Sequence, residues 1–272
     1  MRSRLLSFLI IIISLAACKQ AANNGHPDKL DKINPVVSPK AILKDLTTVS
    51  YYNRDYLKLA EDFYGYDSDG KKISKEEFLK LLAIGTYLPL KLATVDSSLS
   101  YILYPLPEIT DPSVSWTFSQ LGKEYYGNFK KEGRHFPITD FVDVNGKVYD
   151  TLATRNKILV FKYWFIRCGA CIAEMPKLNQ LVKEYNNRND VLFLSFAFDP
   201  KEDLINFLKK TTFNYEVIPV SRKYIDDLNI EAFPTHMIIN KNGMIAKVVN
   251  SEEELSVALQ NESKQKGSGT LK

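Results

Sequence analysis

The chain has 272 residues, 45% of them hydrophobic and 25% charged, with 36 basic against 32 acidic side chains for a formal net charge of +4. The two signs are interspersed, without the basic stripe that a phosphate backbone requires, so the composition argues against a nucleic-acid partner. Three cysteines do not make a disulfide framework, and the apolar content suffices for one full domain plus a smaller module.

The N-terminus carries Arg2 and Arg4, then an apolar run from Leu5 to Ala17 interrupted only by Ser7 and Ser14, then Cys18. That is the pattern of a secretory signal, and the run is too short to cross a bilayer as a helix. Leu15-Ala16-Ala17-Cys18 resembles the lipobox of bacterial lipoproteins. The resemblance implies cleavage after residue 17 and acylation of Cys18, which makes this cysteine a lipid anchor and not a redox thiol. Several acyl chains give lasting attachment, since each buried methylene contributes roughly 0.8 kcal/mol. An ordinary cleaved signal with a stray cysteine is the alternative. Losing Arg2 and Arg4 with a leader that holds no acid lowers the net charge from +4 to +2.

Residues 18–40 read as a tether, with Asn23-Asn24-Gly25 and Pro27, Pro35 and Pro39 in place of apolar pattern. Residues 41–134 form a module of mixed pattern with no catalytic signature. Its spacing predicts helices over Tyr56 to Phe63 and Ser74 to Ala83, and strands over Tyr87 to Leu92 and Leu99 to Leu103. The stretch Tyr66 to Phe78 looks like half of a calcium loop, but with Gly70 at the sixth position the first ligand falls on Gly65. An Asp-Ser-Asp-Gly turn followed by a helix capped by Ser74, with Glu77 three residues on, fits better.

Residues 135–262 alternate strand and helix patterns, which predicts an α/β fold with a central sheet flanked by helices. Phe141 to Val144 and Lys147 to Tyr149 flank Asn145-Gly146, a hairpin signal. Ile158 to Phe165 and Val191 to Phe198 are near-continuous apolar runs, as expected of buried parallel strands. Between them Ile172, Met175, Leu178, Leu181, Val182 and Tyr185 recur at helical spacing, predicting one long helix kinked by Pro176. A helix over Lys201 to Lys210, a strand over Tyr215 to Val220 and a short helix over Tyr224 to Leu228 follow. The strands Thr235 to Asn240 and Met244 to Val249 and the helix Glu252 to Gln260 close the domain, and 263–272 form a polar tail.

Cys168-Gly169-Ala170-Cys171 stands where a buried strand gives way to a helix. Unpaired backbone N–H groups there favour a thiolate, which is the attacking species in disulfide exchange. Arg167 adds positive charge. A zinc half-site is the competing reading, but beyond this pair the chain offers only His26, His135 and His236, and no second cysteine pair.

Lys162-Tyr163-Trp164-Phe165-Ile166-Arg167-Cys168-Gly169-Ala170-Cys171-Ile172-Ala173-Glu174-Met175-Pro176 resembles the active-site strand and helix of thioredoxins, specifically of the TlpA-like envelope reductases related to cytochrome c maturation. The resemblance covers about Gly133 to Gln260. It implies a thioredoxin-like fold with an N-terminal hairpin, a redox disulfide between Cys168 and Cys171, and no cofactor. It also implies that Pro234, in Phe233-Pro234-Thr235, is a cis proline presenting backbone to an incoming peptide, and that Glu174 serves the buried thiol as a proton acceptor. Three positions depart from the family pattern: Arg167 replaces a tryptophan, Gly-Ala replaces a proline-containing dipeptide, and Lys162 occupies the place of a buried aspartate or neutral residue. By period two Lys162 shares a strand face with Val160 and Trp164. Either it pairs with Glu174 behind Cys171, or it snorkels to the surface at the strand end.

The implied activity is that of a monomeric, membrane-anchored dithiol reductase. Its partners are exported thiol and disulfide proteins, a membrane electron donor and, through Cys18, the lipid of a bacterial cell envelope. Two alternatives remain at this point, a copper-handling module using the thiols with a histidine such as His236, and a dithiol oxidase or isomerase.

Overall fold

The computed structural model describes residues 26–264. The signal pattern and Cys18 lie outside them, as does the end of the polar tail. No helix among the described residues is long and apolar enough to cross a membrane.

Two sheets organise the chain. The first is built from α1 (Pro39–Ile42), α2 (Leu46–Tyr56), β1 (Tyr64–Tyr66), β2 (Lys72–Ile73), α3 (Lys75–Leu82), β3 (Tyr87–Lys91), β4 (Ser100–Pro105) and α4 (Pro112–Phe129). Its strand order is β2-β1-β4-β3, with β1 and β4 parallel and the outer pairs antiparallel.

No helix forms over the expected Tyr56 to Phe63; the helix of this region is α2, which ends at Tyr56. Asp45 caps α2 in a reciprocal box with Thr48, and the helix stops at Tyr56 because the Tyr101 hydroxyl takes its next backbone groups, donating to the Tyr56 carbonyl and accepting the Lys58 N–H at 3.0 Å. The expected α3 is present, with Ser74 accepting the Glu77 N–H. Asp67 closes the preceding turn by accepting from the backbone of Asp69 and Lys71. Sequence reading missed α4, although Asp111-Pro112 is a start signal and Val114, Phe118, Leu121 and Tyr125 keep helical spacing. Gly122 lets α4 lie on α3, since a Cβ there would stand 2.4 Å from the Ala83 nitrogen.

The second sheet follows a short hairpin, β5 (Phe141–Val142) and β6 (Val148–Tyr149), and α5 (Thr151–Thr154). It contains β7 (Ile158–Trp164), β8 (Val191–Ala197), β9 (Glu216–Pro219), β10 (Thr235–Ile239) and β11 (Ile245–Val249) in the order β11-β10-β7-β8-β9. The strands β7, β8 and β9 run parallel, and β10 is antiparallel to both its neighbours. The helices are α6 (Gly169–Ala173), α7 (Met175–Glu184), α8 (Lys201–Leu208), α9 (Arg222–Asp227) and α10 (Glu252–Lys264).

Every residue of β7 is buried, as its unbroken apolar run requires. Leu159, Phe161 and Tyr163 pack on one side with Phe141, Phe196 and Met237. On the other side Ile158 and Val160 meet Leu178, Leu181 and the α10 residues Leu255 and Leu259, while Trp164 meets Cys171 and Met175. The hairpin strands are shorter than expected because Asp143 accepts the backbone N–H groups of Asn145 and Lys147, and Val144 turns to donate to Val217 of β9.

The free edge of β11 is occupied by the segment after α4. Gly133 donates to Ile245, Ile245 donates to Arg134, and Phe136 donates to Gly243, at 2.8 to 2.9 Å. Lys247 of β11 also reaches the Ala60 carbonyl, Asp62 and Glu132, so the two sheets are joined by polar contacts.

Candidate active site

The end of β7 delivers Trp164 into the core and the chain then turns through Phe165-Ile166-Arg167 to Cys168. Asp199, just beyond β8, fixes this turn by accepting the Ile166 N–H at 2.9 Å. Burial pushes the Asp199 carboxyl up, against the pull of that N–H. Nothing in the sequence pattern singles out Asp199, because its partner is a backbone group thirty-three residues away.

Cys168 and Cys171 are joined as a disulfide. Cys168 occupies the cap position of α6, and its sulfur accepts the Cys171 N–H at 3.2 Å. It is 7% exposed, whereas Cys171 is fully buried. The long helix of the sequence reading is divided. Pro176 lacks an N–H and its ring conflicts with the carbonyl one turn back, so α6 ends at Ala173 and α7 begins at Met175, with Glu174 at the joint. The electrostatic support for Cys168 therefore comes from one close N–H and not from a long helix dipole.

Lys162 does not snorkel. Its side chain is 0% exposed and its ammonium contacts the Glu174 carboxylate, itself 7% exposed. A third ionisable group completes the cluster. His236 is the register partner of Lys162 across β10 and β7, is fully buried, and brings Nε2 to 3.1 Å from Glu174 Oε1. That approach is not aligned as a hydrogen bond, and neither ring nitrogen has such a partner among the described residues. Ser195, opposite Lys162 on β8, continues the polar row.

Burial lowers the Lys162 ammonium below the usual lysine range, although Glu174 draws it back up. Burial by itself raises the Glu174 carboxyl, but His236 and Lys162 together outweigh it and hold the group below the usual carboxylate range. Burial keeps the His236 imidazole neutral further into acid than an ordinary histidine, against the pull of Glu174. The carboxylate is thus the stable form of Glu174, placed three residues beyond Cys171 on a neighbouring turn.

The Phe233–Pro234 bond is cis. Phe233 packs edge-on against Phe165 and near Phe198, with ring centroids 5.4 and 5.6 Å apart, and all three are only partly buried. Arg222 lies over Phe198 and Phe233. This aromatic group borders Cys168, whose N–H donates to the Phe165 carbonyl. Arg167 is exposed beside it. Trp164 packs against Phe207 and Phe213 from within. Among the described residues no three His, Cys, Asp or Glu side chains come together in an arrangement that could hold a metal.

A Thioredoxin-like family model matches residues 156–245. The thiol-disulfide oxidoreductase ResA of Bacillus cereus is 25% identical over 124 residues, covering 45% of this chain and 70% of that protein. ResA of Bacillus subtilis is 25% identical over 119 residues, covering 43% and 66%. Among solved structures, a thiol-disulfide oxidoreductase from Bacteroides fragilis is similar at 21% identity with a TM-score of 0.42, over 48% of this chain and 98% of that one. Residues 156–245 are thus thioredoxin-like, and the cysteine pair at the strand-to-helix turn lies inside this matched region, which is similar to thiol-disulfide oxidoreductases.

Proposed function

We propose that this protein reduces disulfides of exported proteins, from a position at a bacterial envelope membrane to which an acylated Cys18 tethers it, and that a membrane electron donor recharges it. The leader and lipobox-like residues support the location, and the ResA relatives support the chemistry. The observation that carries the reaction is the unequal placement of the two cysteines, one slightly exposed with its sulfur on a backbone N–H and one sealed beneath it.

In the reduced protein, the Cys168 thiolate attacks one sulfur of a client disulfide. A mixed disulfide forms and the first client thiolate leaves. Cys171 then gives up its proton, with the ionised Glu174 as acceptor, and its sulfur attacks Cys168 Sγ. The second client thiolate departs and the Cys168–Cys171 disulfide remains, so two electrons have passed to the client. Lys162 supports the Cys171 thiolate from behind, Trp164 backs the turn, Arg167 favours the Cys168 thiolate, and the backbone beside Pro234 receives the client segment.

Single-turnover reaction of the reduced protein with a peptide disulfide tests this. Cys171→Ser should accumulate the mixed disulfide and Cys168→Ser should not react; if Cys168→Ser reacts as fast as the parent, the assignment of the attacking thiol is wrong. A reduction potential near roughly −270 mV is expected of a reductase, and one near roughly −120 mV would instead identify an oxidase.

A further inference from the structure

A cleft of about 570 Å³ separates the second half of α4 from the loop that leads into the cis proline. Ala232 and Thr235, which bracket Phe233-Pro234, form part of its wall. Phe233, which lies between those two wall residues, packs on Phe165, whose carbonyl accepts the Cys168 N–H, so the wall is linked to the cysteine turn by direct contacts. Lys123, Lys130, Lys131 and Arg134 line the opposite side.

Unlike Lys58, Lys177, Lys241 and Lys247, which pair with carboxylates, none of Lys123, Lys130, Lys131 and Arg134 has an acidic oxygen within 4.0 Å among the described residues. Two carboxylates share the cleft, and Glu124 is already engaged by Asn250 while Glu231 acts electrostatically on Lys131. Burial lowers the Lys131 ammonium, Glu231 draws it up, and the adjacent Arg134 lowers it again. An excess of positive charge at a concave surface attracts and orients anionic chain segments.

We propose that this cleft, walled by α4 of the N-terminal module, docks an acidic segment of the client protein next to its disulfide. The proposal rests on the reductase reading and gives residues 41–134 a part in it, that of selecting clients by charge. The bound segment is an extended stretch carrying Asp or Glu a few residues from the reacting cysteine, and the cleft acts before any bond changes.

The test uses the full-length protein in neutral detergent, reduced and mixed with three disulfides: a peptide with acidic flanks, the same peptide with lysine flanks, and bis(2-hydroxyethyl) disulfide. The acidic peptide should react roughly tenfold faster than the lysine peptide at low salt. That preference should shrink at about 1 M salt, where screening leaves a range of about 3 Å. The combination Lys130→Glu, Lys131→Glu and Arg134→Glu should abolish or invert the preference, and the single change Lys130→Glu should reduce it. Equal rates for the two peptides overturn the proposal. So does a preference that persists in the triple variant, which would place its source at Arg167. Failure to reduce all three disulfides would overturn the reductase reading itself, a result distinct from a lost preference.

Discussion

His236 and Lys162 face each other across β10 and β7, and both lie against the carboxylate of Glu174. Three ionisable side chains are thereby enclosed behind the redox helix, each depending on the others for its charge state. A buried ion pair contributes little net stability relative to an apolar pair, yet removing one partner strands the other.

Replacing Lys162 by Met should therefore cost about 3–5 kcal/mol of unfolding free energy at neutral pH, and the double change Lys162→Met, Glu174→Gln should recover much of it. Urea unfolding of the oxidised proteins measures this. In the reduced protein the same single change should move the thiol alkylation profile to higher pH; an identical profile would remove Lys162 from the chemistry.

The acid side of the stability curve should depend on His236. Its folded-state value lies below the ordinary 6.5, so below that pH the unfolded chain takes up a proton that the folded chain refuses. Stability should fall as pH drops below about 6.5. The lowered value of Glu174 adds a second loss of the same sign, beginning below the ordinary 4.5. In His236→Phe the first of these losses should vanish, and a parent-like slope between pH 6.5 and 5 would contradict the assignment.

Lys75 predicts an effect at the alkaline side. Its ammonium donates to the Ala60 and Glu61 carbonyls under Phe63 and Phe129, and burial lowers it to about 8, with Lys247 adding to the shift. Between that value and the ordinary 10.5 the unfolded chain holds the extra proton, so stability should rise with pH, by at most about 1.4 kcal/mol per unit. Unfolding from pH 8 to 9.5 in the parent and in Lys75→Met isolates this contribution. The slope should be smaller in the variant.

Asp199→Ala should free the Ile166 N–H and loosen the turn before Cys168. A loss of about 1–3 kcal/mol is expected for a donor left without its partner, with slower reaction at Cys168. Asp199→Asn, which keeps an acceptor oxygen, should restore most of both. If neither variant changes the rate, the contact is structural only.

What was legible in the chain followed from local rules. The apolar run of β7, the Asn145-Gly146 turn, the Ser74 cap and the cysteine pair each announce themselves over a few residues. Lys162 was readable as a strand-face residue, but its burial was not, since that depends on which groups arrive opposite. Glu174 comes from the next helix. His236 comes from a strand more than seventy residues later, and only the β10–β7 register sets it against Lys162. The helix expected over Tyr56 to Phe63 does not form for the same reason, because the distant hydroxyl of Tyr101 takes the backbone groups next to Tyr56 and ends α2 there.

The segment from Gly133 to Phe136 has a consequence for any shortened form of this protein. By pairing with Ile245 and Gly243 it occupies what is otherwise the open margin of the five-stranded sheet. A chain trimmed to begin at Pro137 would expose those amide and carbonyl groups, and unpaired margins of this kind recruit strands from neighbouring copies. The short stretch that joins two parts of the molecule therefore also guards its colloidal stability.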